Sequence, residues 1–262
     1  MARPRKNDSL ALDPPMTELG LPDHLIQMVN PALPKMAQVY AMMRRAIVGL
    51  YLAPGSSVNE RLICEQLGIS RTPFREAILQ LQSENLVYAV PHSGTYVAKI
   101  DLQAVFDGQL VRESLELQVV RLAANRMTSQ FERALDVNML QQQRMAAAVD
   151  HAGFYELDEA FHTMICEFGA SPHIWRIVNA AKAHLDRVRR LSIPLASHLD
   201  FVVQEHTAVF DGLKQRDPDA AAAAMKVHID GVLAMIRRLI VERRDYFAAD
   251  AGDVLDGYVK RR

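Results

Sequence analysis

Residues 68–78 read "GISRTPFREAI", and the interpretation of this stretch decides the fold. Gly68 can take the left-handed backbone that closes a helix at little steric cost. Ser70 is a good N-cap, and Pro73 falls in the first turn of the helix that follows, where a missing N–H does no harm. Phe74, Ala77, Ile78 and Leu81 then form one apolar face. Working upstream, residues 60–67 predict a short helix with Leu62, Ile63 and Leu67 inward. Before it, Val39, Met42, Met43, Ala46, Ile47 and Leu50 share one face of a helix that begins at Met36 and stops at "APGSS". Downstream, "LVYAV" and "TYVAKI" flank "PHSG", two short alternating runs around a turn, which predicts a β-hairpin. Three helices, a tight glycine turn and a hairpin in this order predict a winged helix-turn-helix over residues 36–100.

The same stretch carries charge where such a module would use it. Arg71 and Arg75 are four residues apart, so they project from one side of the helix start, where guanidinium groups can bind guanine edges in a major groove. Ser70 and Thr72, with the free N–H groups of the helix start, suit phosphate oxygens. The whole chain has a net charge of −1, which by itself argues against nucleic acid. Read by segment, residues 36–100 carry six Lys/Arg against four acids, whereas residues 101–262 carry twenty against twenty-three.

With 262 residues, half of them hydrophobic, the chain can bury cores for two ordinary domains. It has no apolar run of about eighteen residues to span a bilayer and no secretory stretch behind "MARPRKNDSLALDPP", which predicts a cytoplasmic protein and excludes a membrane partner. Cys64 and Cys166 form no motif, which suits a reducing compartment. Residues 1–35, rich in Pro, are expected to be a mobile arm; its "RPRK" is more a solvated tail than a phosphate contact. Residues 101–247 look helical, with breaks near Ser129, Gly153, "GASP" (169–172), "SIPLAS" (192–197) and "RDPD" (216–219). These breaks predict an antiparallel all-α bundle of about six helices, followed by a C-terminal tail at 248–262. The fold class is therefore mainly α.

Within the bundle, "YELDEAFHTMIC" (155–166) places Asp158 and His162 four apart on one side of a helix that turns Leu157, Phe161 and Ile165 into a core. Such a pair is common and by itself says little. His206, among Val202, Val203, Val209 and Phe210, and His228, beside Met225, Ile229 and Val232, lie on or next to the inward stripes of two further helices. Imidazole nitrogen and carboxylate oxygen suit a borderline divalent metal, and helices of a bundle can aim them at one point. The competing interpretation is a set of hydrogen-bonded core histidines. His24, His92, His151, His173, His184 and His198 lack this pattern and are taken as surface or cap residues.

Residues 52–100 resemble the GntR family of bacterial transcription regulators over the whole winged-helix segment. The resemblance implies that Arg61 also reaches DNA with Arg71, Thr72 and Arg75, while Gly94 lets the wing tip approach the minor groove. Many relatives have Arg just before that glycine, where this chain has Ser93, so wing contacts here are weaker or differently chosen. Residues 101–245 are similar to the all-helical, FCD-type effector domain of the FadR subgroup. Its metal-binding members use Asp-x-x-x-His, then Glu-His, then a Met-x-x-His-Ile-like stretch, matched here by Asp158 with His162, Glu205 with His206, and "MKVHI" at 225–229. The resemblance implies a divalent transition metal, zinc first with nickel or manganese as alternatives, held by Asp158, His162, His206 and His228. It also implies a small carboxylate effector held by the metal and by a basic residue at the position of Arg112; Asn179 is placed on the inner side of the bundle as a further contact. The competing role for Arg112 is a salt bridge to Glu113 or Glu116.

The expected function is a homodimeric, ligand-responsive repressor of operator DNA and not an enzyme. The alternatives are a metal-dependent enzyme acting on a small carboxylate, with Glu205 expected to point away because one residue turns a helix by about 100°, and a regulator whose metal is purely structural.

Overall fold

The computed structural model describes residues 23–27, 30–192 and 198–261; residues 1–22, with the "RPRK" segment, lie outside them. Helix α1 (Asp23–Gln27) falls in the span expected to be irregular, and its Leu25 is buried against α2 (Lys35–Val48). Strand β1 (Ser57–Val58) leads into α3 (Glu60–Leu67), which Asn59 caps by accepting the Leu62 N–H. Gly68 ends α3 with φ 58°, a left-handed conformation that costs glycine little. Ser70 sits at the N-cap of α4 (Arg71–Ser83) with extended backbone, but its hydroxyl makes no capping bond. The hairpin is β2 (Val87–Val90) and β3 (Gly94–Val97), and β1 adds to it, giving the antiparallel order β1-β3-β2. Phe74, Ala77 and Leu81 pack with Met43, Ile47, Leu86 and Val97 in one core.

The C-terminal region has eight α-helices among the described residues, where about six were expected. They are α5 (Leu102–Asn125), α6 (Ser129–Ala147), α7 (His151–Gly169), α8 (Pro172–Ala181), α9 (Ala183–Ser192), α10 (His198–Lys214), α11 (Pro218–Glu242) and α12 (Ala251–Arg261). Two differences account for the count. The segment after "GASP" breaks at Lys182, where the fully buried ammonium turns to the carboxylates of Glu159 and Asp186 at 2.7 and 2.6 Å. The α8–α9 junction lies so close to α5 that a Cβ on Gly108 would come within 2.7 Å of the Ala181 carbonyl. The C-terminal tail holds a helix as well: Tyr258 of α12 stacks on Phe106 with ring centroids 3.7 Å apart.

The link between the two halves, residues 98–101, is held from several sides. Ile100 donates its N–H to the Tyr246 carbonyl (2.8 Å) and accepts from Ala248 (3.0 Å), while Arg187 of α9 donates to the Ala98 carbonyl (2.6 Å). His184 of α9 accepts the Asp101 N–H at Nδ1 (3.1 Å) and donates from Nε2 to the Asn85 carbonyl (3.1 Å). His184 is thus a buried bridge and not the surface or cap residue expected, because the break at Lys182 rotates α9 so that His184 and Arg187 face the winged module.

Candidate metal centre and nucleic-acid interface

The nucleic-acid face follows from α3 and α4. Arg61, Ser70, Arg71, Thr72, Arg75 and Gly94 are all exposed. Glu60 gathers two of the arginines: its Oε1 lies 3.2 Å from Arg75 Nε and 3.9 Å from Arg71 Nε. Arg61 pairs with Glu65 at 3.1 Å. These exposed pairs contribute little to stability, but they hold the guanidinium groups in a shared orientation at the head of α4. At the wing, Gly94 has φ 124°, and the Ser93 hydroxyl lies 2.6 Å from the Tyr96 hydroxyl.

In the bundle, α7 presents Asp158 and His162, α10 presents His206 and α11 presents His228. All four are buried, and one ligand atom from each lies within 4.8 Å of every other. The imidazole Nε2 atoms converge: His228 Nε2 is 3.1 Å from that of His162 and 3.2 Å from that of His206. Ligands about 2.1 Å from one ion in a tetrahedral or cis arrangement stand about 3 to 3.4 Å apart, so this spacing fits a chelated cation. Asp158 Oδ1 lies 3.6 Å from His206 Nε2.

The other ring nitrogens face oxygen. Glu116 Oε2 lies 2.8 Å from His162 Nδ1, Gln142 Oε1 2.7 Å from His206 Nδ1 and Glu205 Oε2 3.0 Å from His228 Nδ1. For His206 a chain of bonds fixes the tautomer. The Leu157 carbonyl can only accept, so Asn138 donates to it (3.0 Å); Asn138 Oδ1 then accepts from Gln142 Nε2 (2.7 Å), which leaves Gln142 Oε1 to accept Nδ1–H. The lone pair of His206 Nε2 is thereby aimed at the shared point, as metal ligation requires.

Burial, opposed in part by the charge of Asp158, lowers His206 to about 3 and keeps the ring neutral. Burial and the two neighbouring imidazoles push His228 well below its ordinary value. For Asp158, burial works against ionisation, but the Arg189 guanidinium and nearby imidazoles hold its carboxyl below the usual carboxylate range. Arg189 donates to Asp158 Oδ2, to Glu159 (2.7 Å) and to Asp186 (3.1 Å), so it holds one carboxylate oxygen and leaves Oδ1 toward the histidines.

Beside the cluster opens a cavity of about 520 Å³ lined by Asp158, His228, Arg112, Arg189 and Glu205, among others. Arg112 reaches it while paired with Glu116 at 2.7 Å, so the competing salt bridge does form, and its Nη2 lies 3.4 Å from His162 Nε2. Glu205 contradicts its expected direction. Its position one step from His206 does turn it away from that ring's face of α10, but α11 lies on that side and brings His228 and the cavity to it. Burial and the charge of Asp158 push its carboxyl up to about 7. His198, taken as a surface or cap residue, lines the same cavity.

Asn179 does not join this site. It lines a second cavity between α2 and the bundle, and its backbone carbonyl accepts from Arg44 Nη2 at 2.6 Å. The break at Lys182 is the reason: α8 packs on α5 and α7 with Asn179 meeting Arg44 of α2, and it is α9, carrying Arg189, that reaches Asp158.

A model described as "Bacterial regulatory proteins, gntR family" matches residues 35–97, and one described as "FCD domain" matches residues 109–231. The chain is 31% identical over 222 residues to the HTH-type transcriptional repressor RspR of Escherichia coli (strain K12), covering 85% of this chain and 97% of that one. The chain belongs to the GntR family. It is also 33% identical over 216 residues to an HTH-type transcriptional regulator of Streptomyces ambofaciens, covering 82% of this chain and 91% of the relative. The solved structure of E. coli McbR/YncC shares the fold with a TM-score of 0.69 at 20% identity, covering 79% of this chain and 98% of that one. This GntR-family chain is a transcriptional regulator, as its relatives are, and not an enzyme. Among its described residues no helix is long and apolar enough to cross a membrane.

Proposed function

We propose that this regulator is a cytoplasmic, homodimeric repressor that binds operator DNA through the α4 head and the wing, and that a divalent metal with a small carboxylate at the bundle site governs that binding. Zinc fits best, since neutral imidazoles with one carboxylate oxygen are its common ligands. The observation that carries the reading is the convergence of three Nε2 atoms, each ring faced by oxygen on its far side, next to a cavity that Arg112 and Arg189 line. One or two coordination positions would remain for a carboxylate, whose second oxygen could meet a guanidinium fork.

Helix α9 supports a route from site to DNA. Arg189 on one side of it holds Asp158, and on the other His184 holds Asn85 of the winged module and, with Arg187, the link at Ala98 and Asp101. A ligand that redirects Arg189 would bias the placement of the winged modules, provided it prefers one placement. Two recognition helices must sit roughly 34 Å apart, so a modest rotation of each prevents joint docking.

The test is a gel shift on the promoter region beside the chain's own gene, using zinc-loaded full-length protein with and without carboxylic acids. Retarded DNA that at least one acid releases, with no release from the His206→Ala variant, is the expected result. Unretarded DNA would remove the operator claim, and release of equal extent from His206→Ala would remove the metal from the mechanism.

A further inference from the structure

The cavity beside the metal cluster has a wall that describes its ligand. Most of its polar side chains are already committed. Arg112 is bonded to Glu116, Arg189 to three carboxylates, Ser192 Oγ to the Arg189 carbonyl, and Asp230 to Gln109 and Lys226. Glu205 Oε1 is buried without a hydrogen-bond partner and can accept from one donor, and the half-buried His198 imidazole offers one more polar contact. The rest of the wall is aliphatic and aromatic: Phe154, Val202, Val232 and Met235 inside, with Phe201 and Val227 at positions still 53% and 63% exposed. Exposed large apolar side chains that continue a cavity's apolar lining extend the surface a ligand can cover.

We propose that the ligand of this cavity is a monocarboxylic acid with a predominantly apolar body, carrying at most two hydroxyl or amino groups, and not a polyhydroxylated or polycarboxylic acid. This inference rests on the reading that a carboxylate meets the metal end. A sugar acid would bury several hydroxyls against a wall whose polar side chains, Glu205 and His198 apart, are already engaged among the described residues, and unpartnered buried hydroxyls disfavour binding. A tricarboxylate would bring two further carboxylates beside Glu205 and Asp230, while Arg112 and Arg189 of the wall already hold carboxylates. An aromatic or branched aliphatic body instead gains contact along Phe154, Val202 and Met235, and methionine adapts to the shape of what it packs against. The cavity of about 520 Å³ lies within the size range of small-molecule sites.

The experiment is calorimetric titration of zinc-loaded full-length protein with 3-phenylpropanoate, 4-methylpentanoate, gluconate and citrate. The two apolar acids are expected to bind at least tenfold tighter than gluconate or citrate. Phe201→Ser, at an exposed position that leaves the fold intact, should weaken 3-phenylpropanoate at least threefold and leave zinc binding unchanged. Gluconate or citrate binding as tightly as the apolar acids would overturn the inference and leave the carboxylate reading standing. Stoichiometric zinc with no binding of any of the four acids would overturn both.

Discussion

Gln142 offers the sharpest test of how the histidine cluster is built. It is fully buried, is hydrogen-bonded to His206, and sets that ring's tautomer through the chain Leu157–Asn138–Gln142–His206. Gln142→Met keeps the volume and removes the acceptor. Loss of such an outer partner typically weakens metal binding tenfold to a hundredfold, which corresponds to about 1.4–2.8 kcal/mol. The folded chain also loses stability, by about 1–3 kcal/mol, because Asn138 Oδ1 and His206 Nδ1–H are left without partners. Gln142→Glu separates the two effects: it disturbs Asn138 in the same way but still offers His206 an acceptor. Competition titration of zinc against a chromogenic chelator, with thermal denaturation of the stripped protein in parallel, reads both quantities. Both variants should melt earlier, and only Gln142→Met should lose affinity. Unchanged zinc affinity in Gln142→Met, or an equal loss in Gln142→Glu, would refute the reasoning.

Three further outcomes follow. Burial and the charge of Arg187 lower His184 to about 4 from its ordinary 6.5, so between these values the unfolded chain takes up a proton that the folded chain refuses. Stability should be full above pH 6.5 and fall by roughly 3 kcal/mol toward pH 4; denaturant melts of His184→Gln should lack that share of the slope, and an identical slope would contradict the assignment. Arg187 is fully buried, lowered to about 9 by burial, and bonded through a single nitrogen to Ala98. Because a buried charge with no carboxylate partner among the described residues costs stability, Arg187→Met should melt within about 1 kcal/mol of the parent or above it, and a loss beyond about 3 kcal/mol would show a favourable role. Arg75→Ala should weaken operator binding by about 1–3 kcal/mol in fluorescence anisotropy and relax preference at one base pair, and an unchanged affinity would place Arg75 off the DNA.

The winged module was legible because its signals are local. Gly68 closing α3, Pro73 in the first turn of α4 and the alternation around "PHSG" each act within a few residues, and the structure places all of them as expected. The four buried candidate ligands were found from the apolar stripes of three helices. What surrounds them was not legible. Gln142 lies in "LQQQR" with nothing to distinguish it from its neighbours, and Glu116 and Arg189 acquire their roles only through packing of α5 and α9 against α7. The break at Lys182 has no glycine or proline to announce it, and it alone redirects Asn179 to the second cavity and His184 to the link. Helical rotation about one axis misjudged Glu205 because the neighbouring α11 decides what it faces.

The central claim is that the four buried side chains hold a metal. Elemental analysis of full-length protein, dialysed after exposure to zinc, measures this directly. The account predicts one ion per chain in the parent and near none in a His162→Ala/His228→Ala variant that still binds operator DNA or retains its helical circular dichroism. A parent chain that emerges without metal, or a variant that keeps a full equivalent, would contradict it.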